Sequence, residues 1–216
     1  MEISTNYASV CPIVHIKGAL TKEQCEKFSK EVLEYKNSGI EAGASNDNCW
    51  RSTLVNADDY GYGIPGESID VLHDVLIDAM NEFNSVLFSH KTFIYKLFPD
   101  EQTDHDNPSM EAWFNVNQKG AENISHTHAG RHISGTIYFQ GTGTGPICFQ
   151  SLESIYNIIP PNYPFNGTIK YEPEDGDILL FPSYLSHWVE PNPSDRERIN
   201  MAFNIDFRMK ELSGVN

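Results

Sequence analysis

Positive charge is scarce in this sequence: 15 Lys and Arg stand against 30 Asp and Glu in 216 residues, a formal charge of −15. Such a surface repels phosphate backbones and anionic membrane faces, and no basic stripe overrides it, so no nucleic-acid partner is expected. Long apolar runs are missing as well. Stretches such as 158–161 and 178–182 fall far short of the roughly 20 residues that cross a bilayer, so no membrane association is expected. The opening Met-Glu-Ile-Ser-Thr-Asn has neither a cationic nor an apolar leader pattern, which points to the cytoplasm. Cysteine is sparse. Cys11, Cys25, Cys49 and Cys148 form no Cys-x-x-Cys pair and read as small buried apolar groups in a reducing compartment. With no repeat and no low-complexity linker, a single domain over 1–216 is expected.

What is present is enough apolar material for a core, 39% of residues with 12% aromatic. Residues 9–15 read as a strand and about 21–35 as a helix. Thr21 with Gln24 forms a capping box, and Leu20, Cys25, Phe28, Val32 and Leu33 make an apolar stripe. Residues 40–66 are rich in Gly, Asn, Asp and Ser and read as loop, with a short strand near 50–55. A second helix spans about 68–88, where Ile69, Leu72, Leu76, Ala79, Met80, Phe83 and Leu87 recur at the helical period. From residue 91 the pattern turns to short strands, at 92–98, 110–117, 133–139, 146–150, 167–171, 178–181, 187–189 and 198–207. Helices first and strands afterwards predict a mainly β fold: a jelly roll from 91 to 208, with the helices of 1–90 packed on one sheet. The run Gly141-Thr-Gly-Thr-Gly145 has no helix after it, so it reads as a hairpin turn and not a phosphate loop.

The chemistry concentrates in His126-Thr127-His128. In an extended chain residues i and i+2 point to one side, so both imidazoles can reach one metal ion. His187 supplies a distant third, and Arg198 follows eleven residues later. Imidazole suits iron, zinc, copper and nickel, and a basic residue nearby suits an anion. Together these point to an open metal site of an oxygenase. Strand alternation sorts the rest. Arg198, Asn200, Ala202 and Asn204 share one side of the last strand, while Ile199, Met201, Phe203 and Ile205 share the core side. Ser134, Thr136 and Tyr138, and likewise Trp113, Asn115 and Asn117, fall on the polar side. So polar an interior implies a ligand, since buried polar groups cost free energy unless satisfied. His15, His73 and His90 read as ordinary, His105 as part of a solvated turn, His132 as secondary, and Trp188 as outward packing.

The segments Trp113-Phe-Asn-Val-Asn117, His126-Thr-His128, Ser134-Gly-Thr-Ile-Tyr138, Phe181-Pro-Ser183, His187 and Arg198-Ile-Asn-Met-Ala-Phe-Asn204 resemble the Fe(II)- and 2-oxoglutarate-dependent dioxygenases. The resemblance covers about 110–208 and is to the prolyl-hydroxylase-like branch, nearest a subgroup from bacteria and their phages. It implies a double-stranded β-helix of the cupin-like kind. His126 and His187 then match the histidine ligands of iron, and Arg198 the arginine that binds the distal carboxylate of 2-oxoglutarate. Tyr138 matches a residue that assists the arginine, and Asn117, Ser134 and Asn204 join them on the cosubstrate side. His128 stands where most of the superfamily has an aspartate. His128 is expected to be the third ligand; the alternative is a support, with water or a carboxylate such as Glu111 completing the set. Arg196, in a turn-like stretch, is the rival to Arg198 and reads as solvated. The resemblance implies hydroxylation of an aliphatic C–H on a protein side chain, peptide or small molecule, with succinate and CO2 released. The residues also allow a three-histidine dioxygenase without 2-oxoglutarate, or a non-catalytic binding module. The acidic balance favours a cationic or neutral substrate, and exposed strand edges allow a homodimer.

Overall fold

The computed structural model describes residues 12–38, 48–52, 55–56, 66–87, 109–150 and 167–206. The expected strand at 92–98, Cys11, His90 and His105 lie outside them. The described residues form β1 (Val14–Ile16), α1 (Lys22–Asn37), β2 (Cys49–Arg51), β3 (Val55–Asn56), α2 (Gly66–Leu87), β4 (Ser109–Asn117), β5 (Asn123–His126) and β6 (Ile133–Gln140). They continue with β7 (Ile147–Gln150), β8 (Thr168–Tyr171), β9 (Ile178–Pro182), β10 (His187–Val189) and β11 (Arg198–Asp206). Two antiparallel sheets result. One has the order β1-β9-β6-β11-β4-β2, with β3 also paired to β4, and the other the order β5-β10-β7-β8. This is the expected jelly roll.

β11 runs through the middle of the larger sheet, paired with β4 from Arg198↔Asn117 to Asp206↔Ser109 and with β6 on its other edge. Its alternation sorts the molecule into two compartments. Ile199, Met201, Phe203 and Ile205 join a core with Leu72, Leu76, Met80 and Phe83 of α2 and with Phe28 and Val32 of α1. Both helices therefore cover one face of the larger sheet, as the apolar stripes require. The other face, with Arg198, Asn200, Ala202 and Asn204, lines a cavity between the sheets.

α1 begins where the capping box places it: Gln24 N–H donates to Thr21 Oγ1 at 3.2 Å, and Thr21 N–H to Gln24 Oε1 at 2.7 Å. Leu20 and Cys25, one residue before the cap and four beyond it, are both buried. Leu20 packs on the turn that leads into β9. There Gly176 has φ +88, and a Cβ would meet Leu20 O at 2.5 Å, so only glycine fits. Gly176 N–H donates to Tyr138 O at 2.7 Å, which ties this turn to β6 and the cavity wall.

Two expectations change. Gly141–Gly145 is not a hairpin turn, because it carries the chain from β6 in one sheet to β7 in the other. The histidine pair sits at the end of β5, a strand the sequence pattern did not announce; its side chains are largely exposed, Ile124 to 78%, so no alternation marks it.

Phe28 is buried and its ring lies 5.1 Å from that of Phe139 on β6. Phe28→Ala should lower the unfolding free energy by about 3–5 kcal/mol in urea denaturation. A loss below about 1 kcal/mol would mean that this contact does not anchor α1.

Candidate active site

The cavity has a volume of about 400 Å³ and opens at His126. Antiparallel pairing sets His187 of β10 directly opposite His126 of β5, with ring centroids 4.3 Å apart. His128 follows the end of β5, and its backbone N–H donates to Ser183 O at 2.9 Å. That bond turns its ring to 5.1 Å from each of the other two. One ring nitrogen from each histidine lies within 4.8 Å of the others, close enough for a single ion to reach all three.

The tautomers follow from the partners of Nδ1. His126 donates Nδ1–H to Ile124 O at 2.7 Å, His187 to Leu185 O at 2.9 Å, and His128 to Asn204 Oδ1 at 2.5 Å. A carbonyl oxygen only accepts, so the proton sits on Nδ1 and the Nε2 lone pair stays free for a metal. Burial pushes the His187 imidazole down to about 3, the Leu185 carbonyl opposes this, and His126 and His128 add to it. Burial likewise lowers His128, against the Asn204 hydrogen bond, with His126, Arg51 and Arg131 contributing. Both rings are therefore neutral near pH 7, the form a metal needs. Asn204 Oδ1 also accepts from Ser134 Oγ at 2.8 Å, and Ser134 Oγ lies 2.8 Å from Ser183 Oγ. This chain ties His128 to β6 and β11.

Arg198 closes the inner end. It is 1% exposed, one Nη donates to Thr144 O at 2.9 Å, and its buried Nη2 has no hydrogen-bond partner among the described residues. Burial lowers its pKa, with Tyr138 and Cys49 opposing. Burial also pushes the Tyr138 hydroxyl up to about 12, with Arg198 and Thr136 opposing, so it stands as a neutral donor near the guanidinium. Asn117, paired with Arg198 across the strands, leaves its buried Oδ1 unpartnered. A cation with a spare donor fits an anionic group, and three free Nε2 atoms fit a transition metal; the donor set suits iron with a keto-acid.

The other walls carry two more guanidiniums. Arg131 is held by Glu111 and Asp206, so Glu111 is engaged in an ion pair and does not join the histidines. Arg51 lies over the Trp113 ring, 4.5 Å from its centroid, and the sequence reading had not singled it out. Its signal is faint: three residues of strand in a loop-like stretch. Arg196 pairs with Asp175 at 2.6 Å on the surface, as its solvated reading implies. His15 bonds the buried Asp177 at 2.7 Å, and His132 is not a cavity-lining residue. The structure thus brings His126, His128, His187, Arg198, Tyr138, Asn117, Ser134 and Asn204 to one cavity. Asn204 Oδ1 accepts from His128, and Ser134 Oγ donates to that same oxygen.

Residues 111–204 match the family described as "Putative 2OG-Fe(II) oxygenase". No curated protein matches the sequence. The fold is similar to that of a Pseudomonas putida prolyl-4-hydroxylase: 15% identity, 91% of this chain and 93% of that one, TM-score 0.58. It is also similar to a Trichoplax adhaerens prolyl hydroxylase solved with a hypoxia inducible factor oxygen degradation domain peptide fragment: 15% identity, 90% and 83% covered, TM-score 0.60. A third similar structure is SnoK, a non-heme alpha ketoglutarate dependent carbocyclase of nogalamycin biosynthesis: 14% identity, 94% and 84% covered, TM-score 0.57. Among the described residues no helix is long and apolar enough to cross a membrane. The matched segment holds the histidine trio and Arg198, and the fold around it is similar to that of these oxygenases.

Proposed function

We propose that His126, His128 and His187 hold Fe(II), that Arg198 takes the distal carboxylate of 2-oxoglutarate, and that the reaction is hydroxylation of an aliphatic C–H. The observation that carries this reading is the pairing, in one cavity, of three free Nε2 lone pairs with a buried, under-satisfied guanidinium. When bound, iron and cosubstrate supply the oxidising chemistry: dioxygen gives one atom to the substrate C–H and one to succinate, with CO2 released.

The chain's own residues do the rest. Thr144 O holds Arg198 so that Nη2 faces the ligand, and Tyr138 offers its O–H beside it. Asn204 fixes the tautomer and plane of His128, while Ile124 O and Leu185 O do so for His126 and His187. Phe181 packs edge-on against His187, centroids 4.7 Å apart, and keeps water from that side. The chain works as one domain in this reading, with α1 and α2 buttressing the barrel. Its buried thiols, Cys25, Cys49 and Cys148, suit the reducing cytoplasm. The substrate is a small molecule or a peptide side chain; the Trichoplax neighbour was solved with a peptide.

Direct ligation by His128 is tested by metal content. His128→Ala should lose iron as fully as His187→Ala; full iron with lost turnover would exclude it. Anaerobic calorimetry with 2-oxoglutarate and Mn(II) tests the anion site. Arg198→Ala should weaken binding by about 3–5 kcal/mol, more than a hundredfold in Kd; unchanged binding would remove 2-oxoglutarate from the scheme. Asn204→Ala should lower metal affinity about 10–100-fold in a chelator competition, because His128 then lacks its orienting acceptor.

A further inference from the structure

We propose that Arg51 anchors a carboxylate on the prime substrate, making this an oxygenase of anionic substrates. The proposal rests on the assignment above, in which Arg198 is already committed to the cosubstrate.

The cavity holds three guanidiniums, and they differ in how they are satisfied. Arg131 is neutralised by Glu111 and Asp206. Arg198, deep in the barrel, takes the cosubstrate in this scheme. Among the described residues Arg51 has no carboxylate partner, and its one specific contact with them is the face of Trp113. A cation laid on an indole is oriented but not neutralised, and its fork of N–H donors stays available.

The sheet explains why Arg51 points inward. β2 pairs with β4 at Cys49↔Asn117 and Arg51↔Asn115, so Arg51 shares the face of those cavity asparagines. Trp50, of opposite parity, packs on the helix side, its ring 5.8 Å from Tyr35. The position is also right for chemistry. Trp113 stacks on His128 with centroids 5.8 Å apart, so the ring that Arg51 contacts also contacts a histidine of the trio. A substrate carboxylate held there would place carbons a few bonds away beside the metal.

One guanidinium matches one planar monoanion through two parallel N–H···O bonds. A phosphate dianion would leave excess charge, because the residues lining the cavity near Arg51 include the neutral Asn115, Trp113 and Asn123. The chain-wide charge of −15 points the other way, toward a cationic or neutral substrate. That field is screened within about 8 Å at physiological salt, whereas the Arg51 contact is direct and partly desolvated.

The test uses protein loaded with redox-silent Zn(II) and saturating 2-oxoglutarate, so that Arg198 is occupied. Isobutyrate, isobutyramide and inorganic phosphate are titrated in turn, following the Trp113 indole N–H in proton–nitrogen spectra; Trp113→Phe assigns the signal. Isobutyrate should shift the signal saturably and isobutyramide should not. Arg51→Met should weaken the isobutyrate response at least tenfold and Arg51→Lys less, with metal content and 2-oxoglutarate Kd within twofold of the starting protein. Equal responses to acid and amide, tighter binding of phosphate, no response to isobutyrate, or a full response in Arg51→Met would each overturn the proposal. Should Arg51→Met not fold, the acid-against-amide comparison in the unmodified protein still decides. Failure of zinc or 2-oxoglutarate to bind at the outset would instead sink the oxygenase assignment, and this inference with it.

Discussion

The Arg198 guanidinium, 1% exposed with one carbonyl acceptor and a donor left over among the described residues, belongs to the largest of the fully buried side chains and sets the constraint that the cavity must meet. Arginine does not escape by losing its proton at any ordinary pH, so burial must be offset by an acceptor or an anion. The protein supplies only part of that. Thr144 O is presented by the crossover from β6 to β7, and Thr144 is itself buried. Asn117 stands opposite on β4, but its orphaned oxygen does not close the account with Arg198. In the proposed scheme a carboxylate of 2-oxoglutarate meets the remaining demand, in the cavity that Arg198 shares with the histidines.

The histidine trio sets a matching electrostatic condition. Three neutral imidazoles leave a divalent ion with its full charge, about +2, where two histidines and a carboxylate leave about +1. Glu111, the carboxylate weighed from the sequence as an alternative ligand, is held by Arg131. With a dianionic keto-acid as proposed, a trio of neutral ligands gives a neutral metal–cosubstrate unit, and the second carboxylate charge is the one that meets Arg198. The substitution of histidine for an acid is thus consistent with a cosubstrate that supplies the missing negative charge itself.

Much of this was legible in the sequence where two periodicities coincide. β11 alternates so cleanly that Ile199, Met201, Phe203 and Ile205 belong to the core and Arg198, Asn200 and Asn204 to the cavity by parity alone, and β4 and β6 follow the same rule. Legibility fails where packing does not constrain the pattern. β5 is short and mostly exposed, so its strand character comes from pairing with β10 and not from its own residues. Arg51 lies in a three-residue strand whose inward face is set by register with β4. Asn204 belongs to the cavity as expected, yet its work, bonding His128, depends on where a loop 76 residues earlier comes to rest. A hairpin expectation at Gly141–Gly145 likewise could not anticipate a change of sheet.

The site is coupled mechanically as well as electrostatically. His128 is the one histidine of the trio with no strand of its own, and it is fixed from three directions: Ser183 holds its backbone, Asn204 its Nδ1, and Trp113 its face. Two of these supports belong to β4 and β11, the paired strands at the centre of the larger sheet, whose opposite faces carry the helix-side core. Arg51 lies over the same Trp113 ring. Occupying Arg51 would therefore be felt at His128 through a single ring, so substrate binding and metal geometry share one support, and the rigidity of that support comes from the core on the other side of the sheet.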